Sequence, residues 1–132
     1  MGTNYSVLKI NEGLRIELFG QLDEKAAKAL DAELGKLETP TDTRGVVFVT
    51  SGLSECVEAA RLVLVELQKR LARRKARTAY VDERARFRGM ALWVMHLAQD
   101  PNAKAVSSLD QAMRWLNGGD EREANASRRV AL

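Results

Sequence analysis

His96 is the only imidazole of the chain and Cys56 its only thiol. A thiolate–imidazole pair is the nucleophilic device they would offer, and it needs a third group to orient the base. Cys56 lies near the start of a helical stretch, where the helix end favours a thiolate; as a small apolar residue it also suits a core position. His96 falls late in an apolar helix pattern, and no G-x-S-x-G turn accompanies it. One Cys and one His are too few for an all-Cys/His zinc site. Neither a G-x-x-x-x-G-K-[ST] nor a G-x-G-x-x-G phosphate loop occurs. These residues predict a chain that is not an enzyme and holds no cofactor or metal.

The densest charge is basic: Lys69, Arg70, Arg73, Arg74, Lys75 and Arg77. The run falls at the predicted C-terminal end of a helix, where cations complement the helix dipole. Binding of an acidic surface through it is the weaker alternative function. No aromatics interleave with it and the net charge is only +3, so nucleic acid is not expected as a partner. At 132 residues the chain is one domain, large enough to bury a core without staples. A single cysteine forbids an internal disulfide and fits a reducing compartment. The N-terminus lacks a signal-peptide pattern and no apolar stretch is long enough to span a bilayer. A cytoplasmic location follows as the expectation.

Alternation places these groups on a series of strands and helices. Tyr5 to Ile10 reads as a strand, Asn11-Glu12-Gly13 as a turn, and Leu14 to Phe19 as its hairpin partner, with Gly20 as a strand breaker. Asp23 is placed to cap a helix running to Leu37, whose Ala27, Leu30, Leu34 and Leu37 share a face. A loop over Glu38 to Thr43 follows. The apolar run Gly45 to Val49 predicts a strand buried on both faces. A second helix is expected from about Ser54 to Arg74, then a strand over Ala76 to Val81 and a third helix over Glu83 to Ala98. A last strand, Lys104 to Ser107, precedes a helix over Ser108 to Leu116, where Ser108-x-x-Gln111 fits a capping box. The order β-β-α-β-α-β-α-β-α predicts parallel pairing through crossovers, with one antiparallel strand from the hairpin.

The segment Leu14–Leu30, LRIELFGQLDEKAAKAL, couples its strand to its helix through Gly-x-Leu-Asp. With the element order and the final VSSLDQAMRWL, it resembles the STAS domains, named for sulfate transporters and anti-sigma-factor antagonists. The resemblance covers roughly Tyr5 to Leu116. It implies an α/β fold: a STAS-like mixed sheet of about five strands, with about four helices. One domain over 1–116 and a flexible tail over 117–132 are expected. The implied role is a non-catalytic regulatory module binding a protein partner or a second copy of itself. Anti-sigma-factor antagonists carry an Asp-Ser-Ser-Gly type segment after the third strand, whose serine is phosphorylated by a partner kinase. The corresponding stretch from Thr50 to Glu58 reads TSGLSECVE, which leaves Ser51 and Ser54 as candidate phosphosites, with Ser54 also suited to cap the second helix. Moved on by a few residues, the motif would fall on Val57, Glu58 and Ala59, which have no hydroxyl. STAS/Sec14-like relatives without the phosphoserine are an equal comparison.

The helix faces carry the partner prediction. On the second helix Cys56, Val57, Ala60, Val63, Leu64, Leu67 and Leu71 make an apolar arc suited to a sheet, while Leu62 and Val65 fall among charges. On the third, Phe87, Met90, Ala91, Val94, Leu97 and Ala98 form the buried arc, and Leu92, Trp93 and Met95 lie outside it. Leu62, Val65, Leu92, Trp93 and Met95 are therefore the predicted partner-binding residues. The alternative is a carrier of a small apolar ligand or lipid, lined by Met90, Trp93, Met95 and Trp115.

Overall fold

In the computed structural model residues 4–37 and 44–118 are described. β1 (Tyr5–Ile10) and β2 (Gly13–Leu22) form a hairpin, followed by α1 (Glu24–Leu37), β3 (Gly45–Cys56), α2 (Glu58–Arg73), β4 (Arg77–Val81), α3 (Ala85–Ala98), β5 (Ala103–Val106) and α4 (Leu109–Leu116). The strands lie side by side in chain order, with β1 antiparallel to β2 and the other three neighbouring pairs parallel. This is the predicted α/β architecture. The loop over 38–43 and the tail from 119 lie outside the described residues.

Alternation along β2 sends Leu14, Ile16 and Leu18 into the core, while Arg15 and Glu17 pair on the opposite face at 2.8 Å. Val46 and Phe48 of β3 enter the same core, under α1, α2 and α3; Val47 points to a smaller core under α4. The run Gly45 to Val49 is thus covered on both sides, as its unbroken hydrophobicity requires. Phe48 stacks on Tyr80 of β4, with ring centroids 4.6 Å apart. Gly13, at φ 140°, sits so close to Gly45 that a Cβ there would strike the Gly45 carbonyl.

The helix entries follow local chemistry. Asp23 Oδ1 accepts from the Ala26 amide at 2.8 Å and starts α1. At α4, Ser108 Oγ accepts from Gln111 N and Gln111 Oε1 accepts from Ser108 N, a complete capping box.

Two boundaries differ from expectation. Gly20 does not break its strand: at φ 69° it lies in an irregular stretch of β2, which continues to Leu22. β3 likewise runs on to Cys56, because the extended β2 offers it pairing partners as far as Leu22. Ser54 is therefore a strand residue, and α2 starts four positions later, with Val57 as an N-cap that makes no side-chain cap bond.

Candidate functional site

β3 outruns β4, and the outrun creates the distinctive chemistry of this edge. β4 pairs with β3 only as far as Val49. Beyond that point β3 keeps β2 on one side but has no strand on the other, and there Arg84 supplies donors. Its Nη2 donates to Thr50 O at 2.9 Å and its Nη1 to Leu53 O at 2.7 Å. Asp82 holds the guanidinium in place: Oδ1 accepts from Arg84 N and Nε, and Oδ2 accepts from Arg84 Nη2, each at 2.9 Å. Thr50 Oγ1 donates to the same carboxylate at 2.8 Å. Burial alone would raise the Asp82 carboxyl, but these bonds outweigh it and hold the group below the usual carboxylate range. Arg88 Nη1 closes the corner by donating to the carbonyls of Asp82 and Glu83.

Beside this clip lies the start of α2. Ser51 and Ser54 are both exposed on the β3 extension, not in a helical turn. The first turn of α2 holds Val57, Glu58 and Ala59, so its acidic group is the Glu58 carboxylate. Cys56 is half-buried, and burial first, with Glu55 adding, pushes its thiol up to about 11 against the lowering effect of Arg61. Its place near a helix end therefore does not make it reactive. Labelling by iodoacetamide near pH 8 should run about a hundredfold slower than for free cysteine; a rate matching free cysteine would contradict this environment. His96 is exposed on α3, and among the described residues no hydrogen bond joins it to Cys56. Among those residues no cluster of His, Cys, Asp or Glu is gathered to hold a metal.

The five predicted contact residues divide. Leu62, Leu92 and Trp93 are 51%, 54% and 39% exposed, whereas Val65 and Met95 are buried. Val65 shares a flank of α2 with Arg61 and Ala72, both of which line hollows against α3; that helix, not the sheet, covers it. Met95 is on the flank of α3 away from α2, in the main core toward β5. Both fall outside the sheet-facing arcs because each helix has a second buried flank. Leu97, expected in the core, is instead 43% exposed. The Arg61 guanidinium lies 5.6 Å from the Trp93 ring centroid, so Trp93 sits at the seam of α2 and α3, while Leu62 and Leu92 are exposed elsewhere on the surfaces of the same two helices.

The proposed carrier lining does not assemble. Met90 and Trp93 lie on the α3 side of the sheet, while Trp115 packs with the α4 cluster on the other side and donates to Asn102 O. The basic run also disperses. Lys69 pairs with Glu66, Arg70 with Asp31 of α1, and Arg77 stacks on Trp115. Arg73, Arg74 and Lys75 remain exposed where α2 ends.

Sequence reasoning missed a buried polar network under α2. Gln68 Nε2 donates to Asp100 Oδ2 at 2.7 Å and to Thr78 Oγ1 at 3.2 Å, while Tyr80 Oη donates to Gln68 Oε1 at 2.6 Å. Burial, with Asp100 and Cys56 adding, raises the Tyr80 phenol far above its ordinary value.

No family model matches the chain, and no curated protein matches it. Solved structures do match. The anti-sigma-factor antagonist SpoIIAA in its unphosphorylated form superposes with a TM-score of 0.66 at 16% identity, covering 86% of this chain and 96% of that one. The phosphorylated form of the Bacillus cell-fate determinant SpoIIAA gives 0.62 at 15% identity, over 83% and 96%. A serine-to-glutamate variant of Moorella thermoacetica RsbS gives 0.67 at 16% identity, over 86% and 95%. The chain has the STAS-like fold of the anti-sigma-factor antagonists. Within that STAS-like frame, the β3 extension and the head of α2 occupy the stretch where the resemblance places the serine switch. Among the described residues no helix is long and apolar enough to cross a membrane.

Proposed function

We propose that the chain is a non-catalytic regulatory module that docks a protein partner on the outward surface of α2 and α3. The observation that carries this reading is the exposure of Leu62 on α2 and of Leu92 and Trp93 on α3, two helices that pack side by side. Large apolar groups gathered and rimmed by charge are what a protein contact buries, with tryptophan a favoured anchor. Arg61, Lys69 and Glu66 beside them set approach and orientation more than affinity. The regulatory part rests on the structural neighbour SpoIIAA, an anti-sigma-factor antagonist by name.

In this reading the first turn of α2, which holds no hydroxyl, needs no serine switch of its own. Where a phosphate would add negative charge to that helix end, Glu58 supplies it permanently.

The combined variant Leu62→Glu/Leu92→Glu should keep its melting temperature within about 3 °C of the parent, because both side chains already face water. A partner captured from native cells, then purified and titrated, should bind that variant at least about tenfold more weakly. Unchanged affinity would refute this docking face, and a large drop in melting temperature would show both leucines to be core.

A further inference from the structure

A second feature of the same seam points to a ligand of different size and chemistry. Near their N-terminal ends α2 and α3 enclose a groove of about 290 Å³, lined by Cys56, Arg61, Arg86, Phe87, Met90 and Trp93. That is close to the lower limit of small-molecule pockets, roughly 300–1,000 Å³. Its walls are two aromatic rings and a flexible thioether. Its charge is entirely cationic, since no Asp or Glu lines it and Cys56 remains a neutral thiol.

Arg70 pairs with Asp31 and Arg84 with Asp82, but among the described residues neither Arg61 nor Arg86 has a carboxylate partner. Each lies beside a ring instead: Arg61 is 5.6 Å from the Trp93 centroid and Arg86 5.3 Å from that of Phe87. The Arg61 Nε–H is also buried with no acceptor. The first turn of α3 adds to the field, having no acidic residue and no side-chain cap.

We infer that the α2–α3 groove binds a compact aromatic carboxylate, whose oxygens meet Arg61 and Arg86 and whose ring lies against Trp93, Phe87 and Met90. A planar carboxylate matches the guanidinium fork, and a flat apolar body matches the walls. Gly89 also lines the groove, and the space beside it is open: a Cβ there would meet nothing within 4 Å. This ligand site does not depend on the partner-docking reading and can stand or fall without it.

The two tryptophans give a direct readout in the full chain, because Trp93 lines the groove and Trp115 lies across the sheet. Titration with 2-naphthoate should shift the Trp93 indole N–H resonance saturably and leave that of Trp115 in place, with the resonances assigned from Trp115→Phe. The uncharged 2-naphthamide should bind at least about tenfold more weakly. Arg61→Gln and Arg86→Gln should each weaken 2-naphthoate about fivefold or more, and Gly89→Phe should block it, with thermal melting unchanged in all three. The inference is overturned if no saturable shift occurs by millimolar concentrations. It is equally overturned if amide and acid bind alike, or if a variant combining Arg61→Gln with Arg86→Gln binds as the parent does.

Discussion

Replacing Asp82 with alanine should destabilise the fold by about 3 kcal/mol in urea unfolding. The carboxylate is 2% exposed and receives four hydrogen bonds, three of them from Arg84. Breaking a buried ion pair costs roughly 3–5 kcal/mol, and the 42% exposure of the Arg84 side chain keeps this case at the lower end. The loss would be structural as well as electrostatic. Without Asp82, Arg84 has no anchor, and the carbonyls of Thr50 and Leu53 lose their donors. The β3 extension and the head of α2 would then loosen together, so faster amide exchange over 50–58 should accompany the loss of stability. The pH dependence has a definite sign. A carboxyl held below its unfolded value contributes stability that is complete above about pH 4 and disappears as pH falls through the folded value. Asp82→Asn should therefore reduce the acid sensitivity of the parent below about pH 4, and an unchanged acid profile would show that another carboxylate governs it.

What was legible in the sequence was whatever a local period carries. Leu14, Ile16 and Leu18 announce a one-sided strand, Gly45 to Val49 a two-sided one, and Asp23 and Ser108 the starts of helices; each signal spans only a few residues. The extension of β3 carries no such signal. Thr50-Ser51-Gly52 looks like a loop, and serine at position 54 suits a cap, yet the segment is held extended by β2 on one side and Arg84 on the other. Both partners are distant in sequence, so tertiary pairing overrode local preference.

The docking face was half legible for a related reason. A helix wheel drawn against a sheet assumes one buried direction. α2 packs on the sheet below and also sideways against α1 and α3, and Val65 falls on the α3 side. Met95 is buried on the opposite flank of α3, toward β5. Leu97 shows the converse: its arc faces α2, but it lies by an open hollow near Arg73 and Gln99 where α2 is ending. The groove was not legible at all, since Arg61 and Trp93 meet only because two crossover helices lie side by side. The same packing separates Trp115 from Met90 and so removes the imagined carrier cavity.

Gln68 is where side chain and fold are most tightly bound together, and its substitution should be the more damaging of the two. Gln68→Ala should cost about 4 kcal/mol, combining a cavity with stranded buried groups on Tyr80 and Asp100. Asp100 still accepts from Asn102 N, but the bond linking it to α2 would be gone. Gln68→Met, which fills the volume without restoring hydrogen bonds, should cost about 2–3 kcal/mol, and the difference between the two variants isolates the cavity. Gln68→Glu separates charge from shape. It keeps an acceptor for Tyr80 but sets a second carboxyl against Asp100, so one of the pair must hold a proton in the folded state. A folded pKa raised in this way gives stability at low pH that is lost as pH rises. Gln68→Glu should thus approach the parent near pH 5 and fall well below it near pH 8, measured by urea unfolding at both values. A pH-independent deficit would mean that Asp100 does not face residue 68 as a carboxylate, and that the network is held by Tyr80 and Thr78 alone.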